Sequence, residues 1–485
     1  EFSNADGLDP KRRDRLQDDI REEAQALGVE DDLGLDRASC AAEAITRIDR
    51  FVCDVKDSQF GDGLHVWGRP GPANDSFETA ASVEAERTAL LSALNGERIE
   101  AGPSGSPYRG RNDVLPTGRN LYTTDPRAVP TRAAYTQGVA LAEELIRRHL
   151  QDEGDWPRNL VVDLWGSSTM RTAGEDFAMA LHLIGVKPVW DDGSERVSGV
   201  EVIPLAEIDR PRLDVTLRVS GLFRDVFPGL SGVFAQAVRV LADRDEAADY
   251  NPFVGQSPRR VYGPKPGSYG AGIAGELDVY TDEARKAAGE AWLAASAWAL
   301  DGDKAEHDAQ GLRAQVVAAT AFVHTQDLPE TDILLASDYA THEAGFAAAQ
   351  AVTGGAAQLY HIDNTRPETP RARSLKEEVA RVVQARAANP EWIAGMRRHG
   401  FRGAAEIAAT LEHMAAFAHL AQAVDAHHFD AYYEATLGEA EVAQFMQEAN
   451  PEAYEAMQSR FAALHDAGLW VSRRNSILAT LGAAE

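Results

Sequence analysis

The sequence predicts an α/β protein with Rossmann-like, mainly parallel sheets, flanked by helical regions at both ends. A continuous apolar run of strand length, NLVVDLW, occupies residues 159–165. Helical periodicity precedes this run over 132–150 and follows it through FAMALHLI, and the next strand candidates are VKPVW, VEVIPL and LDVTLRVS. Strands that alternate with helices are typical of a twisted parallel sheet with helical crossovers.

Patterning along the chain predicts four regions. Residues 1–95 are mostly helical, and residues 96–275 form a Gly/Pro-rich belt followed by an α/β domain. Residues 276–388 form a second α/β region, in which VVAATAFV and AAQLYHI are the strand candidates, and residues 389–485 are helical. In this last region the tripeptide NPE occurs twice, at 389–391 and 450–452. Asn as N-cap and Pro at the first helical position predict a helix start at each NPE.

The charge balance argues against two classes of partner. Asp and Glu together number 76 against 48 Lys and Arg, which gives a formal net charge of −28 and repels both nucleic acid and anionic membranes. No run approaches the roughly 18 apolar residues of a membrane-spanning helix. Two cysteines are too few for a disulfide framework or a thiolate metal cage. We therefore expect a cytoplasmic protein that binds neither nucleic acid nor membrane.

The sequence has no phosphate-binding loop. The pattern GxxxxGK[ST] is absent, and WGSSTMRTAGED at 165–176 lacks the GxGxxG spacing although it lies between a strand and a helix. ATP is therefore not expected to bind here, and a nucleotide-dependent oxidoreductase is disfavoured. In the same stretch Glu175 follows Thr172 by three residues. That spacing fits a structural capping box, and a functional carboxylate remains an equal alternative.

Two His/Asp pairs follow predicted strands. His324 and Asp327 occur in HTQD, and His361 and Asp363 occur in HIDN. Because ligands usually bind at the carboxyl ends of parallel strands, both pairs are expected at one edge of the sheet. Imidazole and carboxylate together suit a divalent metal ion and can also accept protons. Taken singly, each residue could instead end its strand by hydrogen bonding to a turn.

Three further histidines have less specific surroundings. His399 precedes Gly400, where a helix C-terminus would favour an imidazole, so a cap and a functional site are both open. His427 and His428 are adjacent in a predicted helix. Neighbouring helical residues diverge by about 100°, so we expect these two not to share one ion.

Four cationic residues lie in glycine- or proline-rich stretches, where the backbone can approach a ligand closely. They are Arg119, Arg127, Arg224 and Lys265. Arg224 is followed by Asp225, so a simple surface salt bridge is the alternative there.

Eight motifs occur in one order: PTGRNLYTTDPRAVPT (116–131), LWGSSTMRTAGED, IGVKPVWDD, RPRLDVTLRVSGLFRDVFP, YGPKPGSYGAGI, HTQD, YHIDNTRPE and NPEWIAGMRRHGFRG. Together they resemble the carboxyl-terminal part of the large subunit of aerobic cobaltochelatase, over nearly all of residues 50–475. Several of these blocks are also similar to the large subunit of magnesium chelatase.

The resemblance implies insertion of Co²⁺, as substrate metal, into the corrin precursor hydrogenobyrinic acid a,c-diamide during cobalamin synthesis. It also implies two partners, an AAA+ ATPase subunit and a subunit with an integrin-like domain, which use ATP and Mg²⁺ that this chain does not bind. Magnesium or nickel chelatase homologues and a non-catalytic tetrapyrrole-binding scaffold are the alternatives. Members of this family are longer and carry a His-Gly-Thr-x-Glu-Trp motif upstream, which leaves open whether the chain is active alone.

Chelatase chemistry suggests a role for each candidate residue. The carboxylates around the ring need cationic partners, for which Arg119, Arg127, Arg224 and Lys265 are the candidates. Residues 116–131, which carry the first two, are therefore expected to form part of the wall of the ring-binding cavity. Protons leaving the ring nitrogens need a base, for which Glu175 and a neutral histidine, His399, are the candidates. The metal candidates are His324, Asp327, His361 and Asp363.

Overall fold

The computed structural model describes residues 41–58, 80–105, 112–122, 125–273 and 275–472, with individual residues between 15 and 35, between 60 and 69, and at 474 and 477. The strands are β1 Gly102–Pro103, β2 Asn120–Tyr122, β3 Asn159–Leu164, β4 Val186–Trp190, β5 Val197–Val202, β6 Asp214–Val219, β7 Val261–Gly263, β8 Trp298–Asp301, β9 Lys304–His307, β10 Ala321–Gln326, β11 Gln358–Asp363 and β12 Arg371–Ser374.

Helices surround these strands and dominate the carboxyl-terminal part of the chain. They are α1 Ala41–Asp57, α2 Ala80–Leu94, α3 Arg132–Glu153, α4 Gly166–Thr172, α5 Glu175–Ile184, α6 Leu205–Ile208, α7 Gly221–Val226, α8 Pro228–Ala242, α9 Asp282–Ala295, α10 Ala309–Ala318, α11 Ser337–Tyr339, α12 Gly345–Thr353, α13 Leu375–Val382, α14 Pro390–Arg397, α15 Gly400–Ala416, α16 Ala426–Ala435, α17 Ala440–Ala449 and α18 Pro451–Asp466. Single π-helical turns occur at Ala340–Ala344, Val383–Ala387 and Phe417–Ala421.

The main sheet has eight strands in the order β12-β11-β10-β3-β6-β7-β8-β9. The five central strands, β11 to β7 in this order, are parallel, and β12, β8 and β9 add antiparallel edges. This arrangement confirms the predicted mainly parallel α/β class. Strands β4 and β5, expected to belong to the same layer, instead form a separate antiparallel pair. The candidate VVAATAFV spans the end of α10 and the start of β10, so only its last part is a strand.

The chain forms two compact units. One unit comprises residues 65–328 and 338–374 and contains the sheets; the other comprises 1–64, 329–337 and 375–485. These units cut across the four predicted regions, because β10 pairs directly with β3 and so joins the two predicted α/β regions in one sheet. The helical end of the second predicted region, from Leu375, belongs to the other unit.

Burial of the central strands explains their apolar sequences. Helices cover both faces of a parallel sheet, so its strands are nearly continuous apolar runs. All but the first residue of β3 are buried, and Leu160, Val162 and Leu164 pack in the main core with Phe177 and Leu181 of α5.

Both NPE motifs begin helices as predicted. The Asn389 side chain accepts a hydrogen bond from Glu391 N at 2.9 Å, and that of Asn450 accepts one from Ala453 N at 3.1 Å. Each motif therefore caps its helix, α14 and α18 respectively, with proline at the first position. Separately, none of the helices described is long and apolar enough to cross a membrane.

Helix α3 crosses α5 at Gly138, where the two backbones approach closely. A Cβ atom at position 138 would lie 2.6 Å from Met179 N and 2.7 Å from Ala178 Cβ. We expect Gly138→Ala to lower the free energy of unfolding by about 1–3 kcal/mol, because the helices must separate. Urea denaturation measures this change. Gly229→Ala in α8 is the matched control, since no atom lies within 4 Å of its Cβ position; an equal loss there would contradict the packing explanation.

Candidate functional site

Four buried side chains form a row across neighbouring parallel strands at the carboxyl half of the sheet. Asp163 of β3 is paired with Arg218 of β6 on one side and with His324 of β10 on the other, and His324 is paired with His361 of β11. Residues in register point to the same face of a sheet. Each of the four is at most 2% exposed, and the two imidazole ring centroids lie 6.0 Å apart.

Asp163 is the centre of this row. Its Oδ1 accepts a hydrogen bond from Arg218 Nη1 at 3.1 Å, and its Oδ2 accepts one from Trp165 Nε1 at 2.7 Å. The same Oδ2 lies 2.8 Å from Nδ1 of His342, in the π turn Ala340–Ala344, and 3.3 Å from Nδ1 of His324. One carboxylate thus contacts side chains from three strand ends and one helical turn.

Burial and the guanidinium of Arg218 determine which groups of this cluster are charged. Burial by itself would raise the pKa of Asp163, but His342 and Arg218 hold that pKa well below its usual range. Burial and the neighbouring Arg218 cation lower the pKa of His342. At neutral pH the arrangement is therefore an ionised carboxylate beside a fixed cation and a neutral imidazole.

Both ring nitrogens of His361 already face oxygen atoms of the protein. Nδ1 lies 3.0 Å from Glu343 Oε1, and Nε2 lies 3.0 Å from Gln326 Oε1. Glu343 and His361 are both at most 1% exposed. In this arrangement neither nitrogen of His361 offers a lone pair to a metal ion, so the metal role expected for this residue needs a rearrangement of its partners.

His324 differs from His361 in its hydrogen bonding. Its Nδ1 is buried and makes no hydrogen bond, although Asp163 is near. The imidazole is held by aromatic rings, with the Trp165 centroid at 4.5 Å and the Tyr339 centroid at 5.5 Å. Of the two predicted histidine ligands, His324 is therefore the one with a ring nitrogen that makes no hydrogen bond.

The two predicted aspartates have protein partners. Asp327 forms a two-pronged ion pair with Arg171 of α4, with N–O distances of 2.7 and 2.8 Å. Asp363 Oδ1 accepts hydrogen bonds from Thr365 N at 3.1 Å and from Thr365 Oγ1 at 2.7 Å. The contacts of Asp363 are those of a strand-ending turn, which is the structural alternative for this residue.

A second group of carboxylates lies at the start of α5. Glu175 N donates to Thr172 Oγ1 at 3.2 Å, but Thr172 ends α4 and the N-cap of α5 is Gly174, so the predicted capping box is not formed. Glu175 Oε2 accepts from Asn364 Nδ2 at 2.7 Å. The adjacent Asp176 is 3% exposed, and burial, reinforced by Asp327 and Glu175, raises its pKa to about 7. Asp176 can therefore exchange a proton near neutral pH.

Two of the predicted cations, Arg224 and Lys265, are linked through a hydrogen bond from the Arg224 side chain to the Lys265 backbone. Arg224 Nη1 donates to the carbonyl oxygens of Pro264, Lys265 and Ser268 at 3.0, 2.6 and 3.1 Å, and its other nitrogens pair with Asp225. The guanidinium of Arg224 therefore holds the loop that carries Lys265. The Lys265 ammonium is exposed and lies 6.0 Å from the Trp298 ring centroid.

Arg119 and Arg127 lie in the belt of residues 116–131, of which Thr123 and Thr124 are outside the described residues. Arg127 is exposed and pairs with Asp125 at 3.0 Å. Half-buried Arg119 forms no side-chain hydrogen bond or ion pair within the described part of the chain. It is thus the better placed of the two for binding an anion.

The belt connects α2 to the start of α5. At one end Thr117 Oγ1 donates to Glu86 of α2 at 2.8 Å. At the other end Thr131 N donates to Ala173 O at 3.2 Å, two residues before Glu175. Arg119 therefore lies two residues from the contact with α2, whereas Thr131 is the belt residue beside the acidic group.

His399 belongs to the other unit. It immediately precedes α15, and its Nε2 accepts a hydrogen bond from Leu64 N at 2.9 Å. This hydrogen bond gives the imidazole a structural role in holding the backbone at Leu64. The catalytic role of His399 stays a prediction.

Sequence reasoning missed most of the residues that surround the predicted histidines and carboxylates. The missed residues are Asp163, Trp165, Arg171, Asp176, Arg218, Gln326, His342, Glu343 and Asn364. Two of them carried a signal, because Asp163 and Arg218 are single charges inside apolar strand runs. A lone charge in a buried strand must have a partner of opposite charge.

The fold and this row of side chains define an α/β protein with a buried imidazole, carboxylate and guanidinium network in the carboxyl half of a parallel sheet, the half near which ligands of such sheets usually bind. The chain belongs to the CobN/Magnesium Chelatase family, whose family model matches residues 1–83 and 72–477. The resemblance given by the motifs is thereby confirmed.

Individual relatives are cobaltochelatase subunits. The chain is 41% identical over 478 residues to the aerobic cobaltochelatase subunit CobN of Sinorhizobium sp, covering 92% of this chain and 37% of the relative. It is 43% identical over 413 residues to the subunit of the same name in Pseudomonas aeruginosa, covering 80% and 33%. The chain thus spans about a third of the length of these two relatives.

The fold is also similar to a solved structure, the catalytic subunit of cobaltochelatase from Mycobacterium tuberculosis. The TM-score is 0.89 at 32% sequence identity. The match covers 99% of this chain and 50% of the solved one.

Removal of the central charge tests the network. In Asp163→Asn the buried Arg218 loses its carboxylate, so we expect the free energy of unfolding to fall by about 3–5 kcal/mol in urea denaturation. Asp301→Asn is the matched control, because Asp301 pairs with Arg239 at 2.8 Å with both side chains nearly half exposed. That control should change stability by less than about 1 kcal/mol. Equal losses would contradict the central role of Asp163.

Asp176 should give stability a defined pH dependence. Its folded pKa, about 7, exceeds the ordinary value of 3.8, so between these values the folded chain binds more protons than the unfolded chain. The contribution of Asp176 to stability therefore falls as pH rises from about 4 to about 7 and is constant above that. Urea denaturation across this range should show wild type losing stability relative to Asp176→Asn. A pH-independent difference would contradict the raised pKa.

Proposed function

We propose that this chain is the carboxyl-terminal part of a cobaltochelatase large subunit, which inserts Co²⁺ into hydrogenobyrinic acid a,c-diamide in aerobic cobalamin synthesis. The observation that carries the proposal is the in-register row of Arg218, Asp163, His324 and His361 in a chain of this family. Cobalt is favoured over magnesium because both relatives above and the solved structure bear the name cobaltochelatase.

Metal delivery needs a ligand that binds Co²⁺ and then releases it. His324 suits this role because its Nδ1 has no hydrogen bond, while the ionised Asp163 at 3.3 Å attracts a cation. Asp163 is itself partly neutralised by Arg218, which weakens its hold on a metal ion. A loosely held ion can pass to the ring nitrogens. Asp327 and His361 would join only after leaving Arg171 and Glu343 respectively.

Ring metallation also releases protons from the ring nitrogens. Asp176 is the base we propose, since a group with a pKa near 7 both accepts and releases protons at neutral pH. Glu175, the base chosen from the sequence, would act beside it and is oriented by Asn364. His399 lies in the other unit and keeps its place only as an untested alternative.

The ring itself carries carboxylates, which call for cations. Arg119 and Lys265 are the proposed contacts, because neither forms an ion pair in the part of the chain that the structure describes. Arg127 would first have to leave Asp125, and Arg224 supports the loop of Lys265.

We propose further that ATP hydrolysis occurs in partner subunits, an AAA+ ATPase subunit with its Mg²⁺ and a subunit with an integrin-like domain. The absence of a phosphate-loop motif in the sequence supports this division. A cytoplasmic location belongs to the same proposal.

A single experiment tests this function. The chain is titrated with hydrogenobyrinic acid a,c-diamide, and Co²⁺, ATP, Mg²⁺ and the two partner subunits are then added while the visible spectrum is recorded. We expect ring binding followed by a cobalt-corrin spectrum. His324→Ala should keep ring binding and slow insertion by roughly tenfold or more, as expected for loss of one strong contact. His465→Ala changes a partly exposed histidine of the other unit; it is the control and should not change the rate.

Other outcomes identify the alternatives. Arg119→Ala should weaken ring binding without changing the rate at saturating ring, whereas the exposed Arg313→Ala should do neither. Unchanged insertion in His324→Ala would refute the metal role. Preference for Mg²⁺ and a protoporphyrin would indicate a magnesium chelatase, and ring binding without insertion of any metal would indicate a scaffold.

A further inference from the structure

A second cluster of metal-binding residue types lies in the other unit. Asp32 Oδ2 is 2.6 Å from His427 Nε2 and 3.0 Å from His428 Nε2. One ligand atom from each residue lies within 4.8 Å of the other two. Asp32 and His428 are 3% and 2% exposed, whereas the His427 side chain is 19% exposed. The cluster is thus buried with one side near solvent.

This convergence contradicts the sequence-based expectation that adjacent helical histidines point apart. His427 and His428 are the second and third residues of α16, and their ring centroids are only 3.9 Å apart at an interplanar angle of 50°. Both rings turn toward the same oxygen of Asp32. Side-chain torsions bring the two imidazoles together even though the Cα–Cβ bonds of adjacent helical residues diverge.

Hydrogen bonding leaves this cluster incomplete. His427 Nε2 is within hydrogen-bonding distance of Asp32 at 2.6 Å, but both ring nitrogens of His428 are buried without a hydrogen bond. The 3.0 Å approach of His428 Nε2 to Asp32 lacks the alignment of a hydrogen bond. Buried imidazole nitrogens normally have partners, so an unpartnered pair facing a carboxylate points to a missing ligand.

The geometry of these groups favours a cation between them. The Asp32 carboxylate and one nitrogen of each imidazole converge within 4.8 Å, so three possible donor atoms lie around one point. A neutral imidazole is the form that binds metals.

We propose that Asp32, His427 and His428 bind one divalent transition-metal ion of the Co²⁺ or Zn²⁺ class. Two imidazole nitrogens and one carboxylate oxygen suit this borderline class, whereas Mg²⁺ and Ca²⁺ prefer oxygen ligands alone. Three protein ligands leave further coordination positions to water, so the ion can exchange. The site is separate in sequence and unit from the row at the sheet, and the inference does not depend on the proposed chelatase function.

The test uses the full chain with CoCl₂ or ZnCl₂ alone, without ring, ATP or partner subunits. Calorimetry should give a binding step in wild type that is lost, or at least tenfold weaker, in His428→Gln and Asp32→Asn. The visible spectrum of bound Co²⁺ should indicate nitrogen and oxygen ligands. His465→Ala is the matched control, because this partly exposed histidine also neighbours an aspartate, and it should bind as wild type does.

Folding is checked separately, since these residues are buried. Circular dichroism of each variant should match wild type, and Zn²⁺ should raise the Tm of wild type but not of His428→Gln. His307→Ala, which changes an exposed histidine of β9 in the other unit, should retain the binding step. The proposal is overturned if wild type shows neither a binding step nor a Tm shift with either ion, or if His428→Gln and Asp32→Asn bind as tightly as wild type.

Discussion

The ionised carboxylate of Asp163, buried at the centre of the parallel sheet, is the constraint on which the site depends. An isolated charge in such surroundings is strongly unfavourable, so partners of opposite charge must reach it from neighbouring elements. Arg218 supplies the cation, and Trp165 and His342 supply further contacts with the same carboxylate. Because Trp165 packs against His324, the electrostatic requirement of Asp163 also fixes the imidazole that is the best metal candidate.

The strand order and one irregular helical turn complete this arrangement. Insertion of β10 between β3 and β11 brings residues from distant parts of the chain into register. Two consecutive residues of the π turn Ala340–Ala344 contact different members of the row. His342 contacts Asp163, and Glu343 contacts His361. Such π turns occur frequently at functional sites because they alter the directions of adjacent side chains.

Two buried aspartates have opposite protonation behaviour for physical reasons. Asp163 stays ionised because it is surrounded by Arg218 and two imidazoles, whereas Asp176 has a pKa of about 7 because burial is reinforced by other acids. Pairs of carboxylates whose pKa values are separated by their surroundings are a common basis for acid–base chemistry. Here the separation would let one carboxylate attract a cation while the other exchanges protons.

The sequence by itself determined the mainly parallel α/β class, the helix starts at both NPE motifs, and the meeting of His324 and His361 in one sheet, although it placed them after their strands and they lie inside β10 and β11. These features follow from hydrophobic periodicity, capping and strand polarity, which are local. Only the tertiary structure decided which side-chain atoms already contact other protein groups. It occupied both nitrogens of His361, supplied Asp163 with its partners, and turned His427 and His428 toward Asp32. Strand register and side-chain torsions set these contacts, and neither can be deduced from the spacing of residues along one chain.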